Sequence, residues 1–174
     1  VLGGSQGANI FSKSLPKILK KLLVKDISIH VFHQSNNKDV NYITEEYKKI
    51  QNMKNFSFDV FTFEPNIQKY YQLSNLVICR SGSSTLSELC AIQLPFIAIP
   101  LPSSLDNHQY FNAKFYVDNE CGWLIKQDSD LENNLYNKLN YILQNYNEEI
   151  SQKAKNFETI IKKNTLENFL KLIN

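Results

Sequence analysis

The sequence has little that would mark a metalloprotein, a disulfide scaffold or a membrane-spanning chain. Its cysteines number only three, Cys79, Cys90 and Cys121. An odd count with no metal-like spacing argues against a disulfide framework or a zinc site, and reduced thiols in a cytoplasmic setting are the simplest reading. The three histidines, His30, His33 and His108, form no i,i+4 pair and have no cysteine companion, so no metal ligand set follows from them. Long apolar runs are missing too. The run at 94–101 is interrupted by Pro95 and Pro100 and followed by Pro102, and it falls far short of the roughly 20 residues a membrane span needs. No signal peptide is visible. Nor is there an excess of charge: 19 basic against 17 acidic residues leave +2, which gives nucleic acid no support as a partner. Asn and Lys are frequent throughout, but no segment is of low complexity and no repeat at solenoid spacing appears.

What is present suits one α/β domain. At 174 residues with 43% hydrophobic content, the chain can build a real core and is expected to fold as one unit. It opens Val-Leu-Gly-Gly, apolar residues that read as the tail of a strand, so a preceding segment is expected. Apolar runs of strand length alternate with segments of helical period, which predicts βα units around a mostly parallel, Rossmann-like three-layer sheet. The strand candidates are 1–2, 27–33, 56–63, 76–79, 96–99 and 123–125. A helical stripe of Ile10, Phe11, Leu15, Ile18, Leu19, Leu22 and Leu23 contains Pro16, which is expected to kink or restart it. Further helices are expected at 40–50, 67–73, 85–92 and 109–119, and everything after 128 reads as helix.

In such a sheet, ligands bind beyond the carboxyl ends of the strands, where loops lead into helix N-termini. Three junctions stand out. The first is Gly3-Gly4-Ser5-Gln6-Gly7-Ala8. Glycines let a backbone approach an oxyanion closely, and a helix start offers free amides and the positive end of its dipole. The spacing is neither the dinucleotide fingerprint nor a P-loop, and an ordinary strand-to-helix turn is an equal reading. The second is Cys79-Arg80-Ser81-Gly82-Ser83-Ser84-Thr85-Leu86-Ser87-Glu88, where hydroxyls and amides at a helix start form a second anion cradle beside a permanent charge. Thr85-x-x-Glu88 also spells a capping box. The third runs from Pro100 to Gln109, then Asn112, gathering Asp106, Asn107, His108 and Gln109, groups able to bond sugar hydroxyls; Asp106-x-x-Gln109 is equally a cap pattern.

Other features carry less. Asp128-Ser129-Asp130 has the spelling of a metal-binding D-x-D, but its place before a late helix reads as a cap. The Tyr70-Tyr71 pair reads as packing. No nucleophile elbow or Ser-His-Asp order occurs.

The three junctions, in this order, resemble the carboxyl-terminal domain of the MurG family, N-acetylglucosaminyltransferases of peptidoglycan synthesis. The likeness spans the whole chain and rests on GGSQGA, FHQS, CRSGSSTLSE, LPFIAIPLP and DNHQYFNA. It implies the carboxyl-terminal half of a GT-B glycosyltransferase, with UDP-N-acetylglucosamine as donor and no metal or other cofactor. Ser5, with Gln6 and Gly7 in the glycine loop, would meet the diphosphate. Glu64 would present its backbone to the uracil edge. Ser83, Ser84, Thr85, Leu86 and Ser87 would line the pyrophosphate and sugar, and Glu88 would bind the ribose hydroxyls. Gln109, with His108 and Asn112, would read the sugar hydroxyls, and Arg80 would give electrostatic support. Two positions depart from the family: Ser103 stands where many members carry His, and Glu64 where they carry an apolar residue.

The resemblance further implies transfer to lipid I to give lipid II, at the cytoplasmic face of the bacterial inner membrane. The general base, the acceptor site and peripheral membrane attachment would lie in an amino-terminal domain, toward which the helices after about 150 would pack. No catalytic base is assigned within the chain itself. Two alternatives stand beside this reading: the catalytic subunit of a eukaryote-type dolichol-linked N-acetylglucosamine transferase, and a non-catalytic UDP-sugar-binding domain. An NAD-linked oxidoreductase is disfavoured by the glycine spacing and by the lack of a ribose-binding acid after the second strand.

Overall fold

A computed structural model describes residues 1–4, 8–23, 27–51 and 55–173, with backbone alone from 163 onward. The chain is α/β with parallel strands, and it divides into two compact units: residues 1–73 with 128–141, and residues 74–127 with 142–174.

In the first unit, β1 (Ile29–Gln34) pairs in parallel with β2 (Phe56–Phe61), Ile29 opposite Phe56 and Gln34 opposite Phe61. Leu2 adds one parallel bridge to Gln34, all that the described residues show of the expected opening strand. The helix α1 (Asn9–Leu22) buries Phe11, Leu15, Ile18, Leu19 and Leu22, the stripe read from the sequence. It runs through Pro16 without restarting, contrary to a restart at that position. Pro16 lies on the buried face, flanked by anchored apolar residues, and each fully buried Leu or Phe contributes about 1.5–3 kcal/mol, enough together to offset one lost backbone bond. Helix α2 (Val40–Gln51) sets Ile43, Tyr47 and Ile50 into the core, and α3 (Gln68–Gln72) is a short turn of helix. Helix α6 (Leu131–Gln144) buries Leu131, Leu135 and Leu139 at helical spacing.

In the second unit, β3 (Val77–Cys79), β4 (Phe96–Ala98) and β5 (Gly122–Leu124) lie in that order, all parallel. Each strand of β3 and β4 is buried at every residue, as expected of a sheet covered on both faces. Helices α4 (Ser83–Ala91) and α5 (His108–Asp118) follow β3 and β4. Gly122 lies against Phe96: a β-carbon there would come within 2.6 Å of the Phe96 carbonyl oxygen, so only glycine fits. The long helix α7 (Tyr146–Ile173) contributes Phe157 and Ile160 to this unit's own core, Phe157 against Phe96 and Tyr116, and Asn156 Nδ2 donates to the Glu120 carbonyl at 2.9 Å.

Candidate functional site

The polar residues of the first unit bond mainly to one another. His33, from FHQS, is buried and its Nδ1 lies 2.8 Å from the Tyr47 hydroxyl. Burial lowers the His33 pKa to about 3, and burial raises that of Tyr47. His33 is thus a neutral core residue. At the turn into α2, Asn36 Oδ1 accepts from the amides of Lys38 and Asp39 at 2.9 and 2.8 Å, and Asp39 Oδ2 accepts from Asn36 Nδ2 and Asn9 Nδ2. Glu64 bonds Lys69 and also accepts from the Asn66 amide at 2.9 Å; the Lys69 bond, then the Asn66 amide, hold its carboxyl below the usual range. Its side chain therefore pins its own loop, a contact the family likeness does not anticipate. Ser5, Gln6 and Gly7 lie outside the described residues; of the glycine loop, Gly4 takes φ +80°, a left-handed conformation that favours glycine.

The second unit is different. Helix α4 starts at Ser83 with Gly82 as its N-cap, and no side chain caps it. Thr85 therefore sits inside the first turn, and Thr85 with Glu88 does not form the capping box that the spacing allowed. The first intrahelical bond runs from the Leu86 amide to the Gly82 carbonyl at 3.1 Å, so the amides of Ser83, Ser84 and Thr85 point out of the helix end without an acceptor in it. Ser83, Ser84, Ser87 and Glu88 are exposed and Thr85 is half-buried. Ser84 and Glu88, four residues apart, share a face. Leu86 is set apart from them: its side chain is fully buried in the core and its amide is spent on Gly82. Ser87 lies beside the Tyr116 hydroxyl.

Beyond β4, a single 3-10 turn (Leu105–Asn107) precedes α5. Asp106 and Asn107 both take left-handed backbone angles, φ 48° and 53°, and neither side chain caps α5. The cap pattern Asp106-x-x-Gln109 is therefore not used. Gln109 Oε1 instead accepts from the Leu101 amide at 2.9 Å, closing the loop on itself, and the His108 ring donates from Nδ1 to the Leu105 carbonyl at 2.8 Å. With Oε1 committed, Gln109 keeps its amide hydrogens for a ligand. Asn112 Nδ2 donates to the Ser81 carbonyl at 3.1 Å, tying α5 to the turn before α4. That bond brings the second and third motifs of the sequence together.

Arg80 is half-buried, and burial lowers its pKa. Its Nη1 donates to the carbonyls of Ile99 and Pro100 at 2.9 and 3.1 Å, and its Nη2 to Gln127 Oε1 at 2.5 Å. The guanidinium thus braces strand exits, a more definite task than general electrostatic support. Gln127 lies in no motif and was missed; only the arginine's need for acceptors could have pointed to a partner. Among the described residues, two buried hydroxyls, Ser81 Oγ and Ser104 Oγ, have no hydrogen-bond partner, one at each motif. Cys79 and Cys121 are pushed up to about 12, mainly by burial, which makes poor nucleophiles of them. Among the described residues no group of three or more His, Cys, Asp or Glu could hold a metal ion. Asp128 Oδ1 accepts from the Asp130 amide at 3.0 Å just ahead of α6, so Asp128-Ser129-Asp130 shapes the approach to a helix.

Parallel strands with helix starts opening beyond their carboxyl ends place the chain among the α/β domains built to bind ligands at that edge. Within that class the chain belongs to the glycosyltransferase family 28 C-terminal domain, whose model matches residues 1–172. It is similar to proteins called UDP-N-acetylglucosamine--N-acetylmuramyl-(pentapeptide) pyrophosphoryl-undecaprenol N-acetylglucosamine transferase. That of Pelagibacter ubique is 38% identical over 99% of this chain and 47% of its own length. That of Rickettsia bellii is 39% identical over 83% of this chain and 40% of its own. The crystal structure of Acinetobacter baumannii MurG superposes with a TM-score of 0.78 at 28% identity, covering 91% of this chain and 44% of that one. The chain therefore spans less than half the length of these relatives.

Proposed function

We propose that this chain binds UDP-N-acetylglucosamine and forms the donor half of an inverting hexosyltransferase that glycosylates lipid I to lipid II in peptidoglycan synthesis. The observation that carries the reading is the uncapped start of α4, with three amides and the Ser83, Ser84 and Thr85 hydroxyls open at the carboxyl edge of a parallel sheet. That arrangement suits a diphosphate. Gln109, set beside it through the Asn112–Ser81 bond, would donate to sugar hydroxyls, and Glu88 would take the ribose. The family likeness also gives Glu64 a role toward uracil, and Ser5, Gln6 and Gly7 a role toward phosphate.

In the reaction the acceptor's C4 hydroxyl oxygen forms a bond to the anomeric carbon as the bond from that carbon to the diphosphate oxygen breaks. The electron pair leaves with UDP, and the hydroxyl proton goes to a base outside this chain. Charge grows on the departing diphosphate, where the amides and dipole of α4 stabilise it without a bound metal. Acceptor binding and peripheral attachment to the cytoplasmic face of the inner membrane belong to the remainder of the longer enzyme. The relatives' own names, which specify a muramyl-pentapeptide undecaprenol acceptor, favour this over a dolichol-linked acceptor.

Calorimetry with UDP-N-acetylglucosamine, UDP-glucose and UDP tests the reading. The expected result is binding of all three with preference for the N-acetylated sugar, and no lipid II from the chain alone. Equal affinity for all three would indicate a sugar-blind nucleotide module, and binding of none would refute the donor site.

A further inference from the structure

The hydrogen bonds of Arg80 assign a task to a residue that no motif includes. Arg80 leaves β3, Ile99 and Pro100 leave β4, and Gln127 lies just past β5. One guanidinium reaches all three exits, through two backbone carbonyls and the Gln127 carboxamide oxygen. A guanidinium has only donors, so Gln127 must turn its oxygen toward it. The Pro100 carbonyl sits immediately before Leu101, whose amide donates to Gln109. The fork thus fixes the root of the loop at 101–109 that carries the sugar-facing glutamine. With Gln127 removed, Nη2 loses a charge-assisted bond at a half-buried position, which loosens the fork's hold on the β4 carbonyls.

We propose that Gln127 is a positioning residue for the donor site, acting through Arg80 to hold the loop at 101–109 in register with the start of α4. The proposal rests on the donor-site reading for its consequence in affinity, but its mechanical part is measurable without ligand. Gln127→Leu keeps the size and removes the acceptor, whereas Gln127→Glu keeps an acceptor for Arg80. In the ligand-free chain, hydrogen exchange at the Leu101 amide is expected to quicken about tenfold in Gln127→Leu and to return to the parent rate in Gln127→Glu. Calorimetry should show UDP-N-acetylglucosamine weakened about fivefold in Gln127→Leu, with UDP held within about twofold, because the start of α4 is untouched. Gln127→Glu should restore the sugar-dependent part.

Unchanged Leu101 exchange in Gln127→Leu would overturn the proposal, as would Gln127→Leu and Gln127→Glu behaving alike, or UDP and UDP-N-acetylglucosamine weakening equally. Parent protein that binds no UDP-sugar would instead count against the donor-site reading, and the exchange comparison would still decide whether Gln127 holds the loop.

Discussion

The turn from β1 into α2 and the turn from β3 into α4 are built from similar sequence, a strand followed by small polar residues and a helix, yet they end in opposite states. In the first, Asn36 turns its side-chain oxygen onto the amides of Lys38 and Asp39, and Asp39 collects Asn36 and Asn9. In the second, Gly82 stands where a capping side chain would be, and the amides of Ser83, Ser84 and Thr85 stay open. Capping by Ser, Thr, Asn or Asp typically contributes about 1 kcal/mol. Its absence at α4 forgoes that stabilisation and keeps donors available for an anion. Similar polar motifs after a strand can thus either satisfy a helix start with their own side chains or leave it open.

The contrast can be broken or sharpened by substitution, and the largest effect should be purely structural. Gly122→Val forces side-chain atoms onto the Phe96 carbonyl; chemical denaturation should show a loss on the order of 3 kcal/mol or more. A pH effect comes next. His33 has a folded pKa of about 3 against an ordinary 6.5, so between these values the unfolded chain binds a proton that the folded chain refuses. The contribution is complete above about pH 6.5 and drains as pH falls toward 3, by about 1.4 kcal/mol per pH unit. Denaturation at pH 7 and pH 4.5 should differ by roughly 2–3 kcal/mol, and His33→Gln should flatten that slope.

The third test bears on the comparison itself. Gly82 has φ −62° and open space where a β-carbon would go, so the fold does not require glycine there. Gly82→Ala should leave the melting temperature nearly unchanged while weakening UDP about tenfold, if what the glycine preserves is close approach of a diphosphate. Loss of stability with unchanged affinity would point the other way. The smallest effect is expected at Glu64. Its carboxylate only pins an exposed loop through Lys69 and the Asn66 amide, so Glu64→Gln should change UDP affinity by less than about twofold.

Much of this was legible in the sequence because burial leaves a periodic trace. The stripe of α1 and the wholly apolar β3 and β4 declared themselves, and the α/β class followed from their alternation. Helix starts were less legible. Thr85-x-x-Glu88 and Asp106-x-x-Gln109 both spell caps, but α4 begins two residues before Thr85, and Asp106 and Asn107 adopt left-handed angles that their types tolerate without announcing. Pro16 was legible only in part: the sequence shows the missing donor, which allows a kink or a restart, but not the packing that carries the helix through without a restart. Arg80, Asn112 and Gln109 were marked as site residues, yet their bonds to Gln127, Ser81 and Leu101 span separations no local pattern reports.

The central claim, that the open start of α4 is a diphosphate site with a sugar-reading loop beside it, is tested most directly by amide chemical shifts during titration. UDP should move the amides of Ser83, Ser84 and Thr85, and UDP-N-acetylglucosamine should move those of Leu101 and Gln109 as well. Saturating UDP-N-acetylglucosamine that leaves the Ser83, Ser84 and Thr85 amides in place would contradict the account.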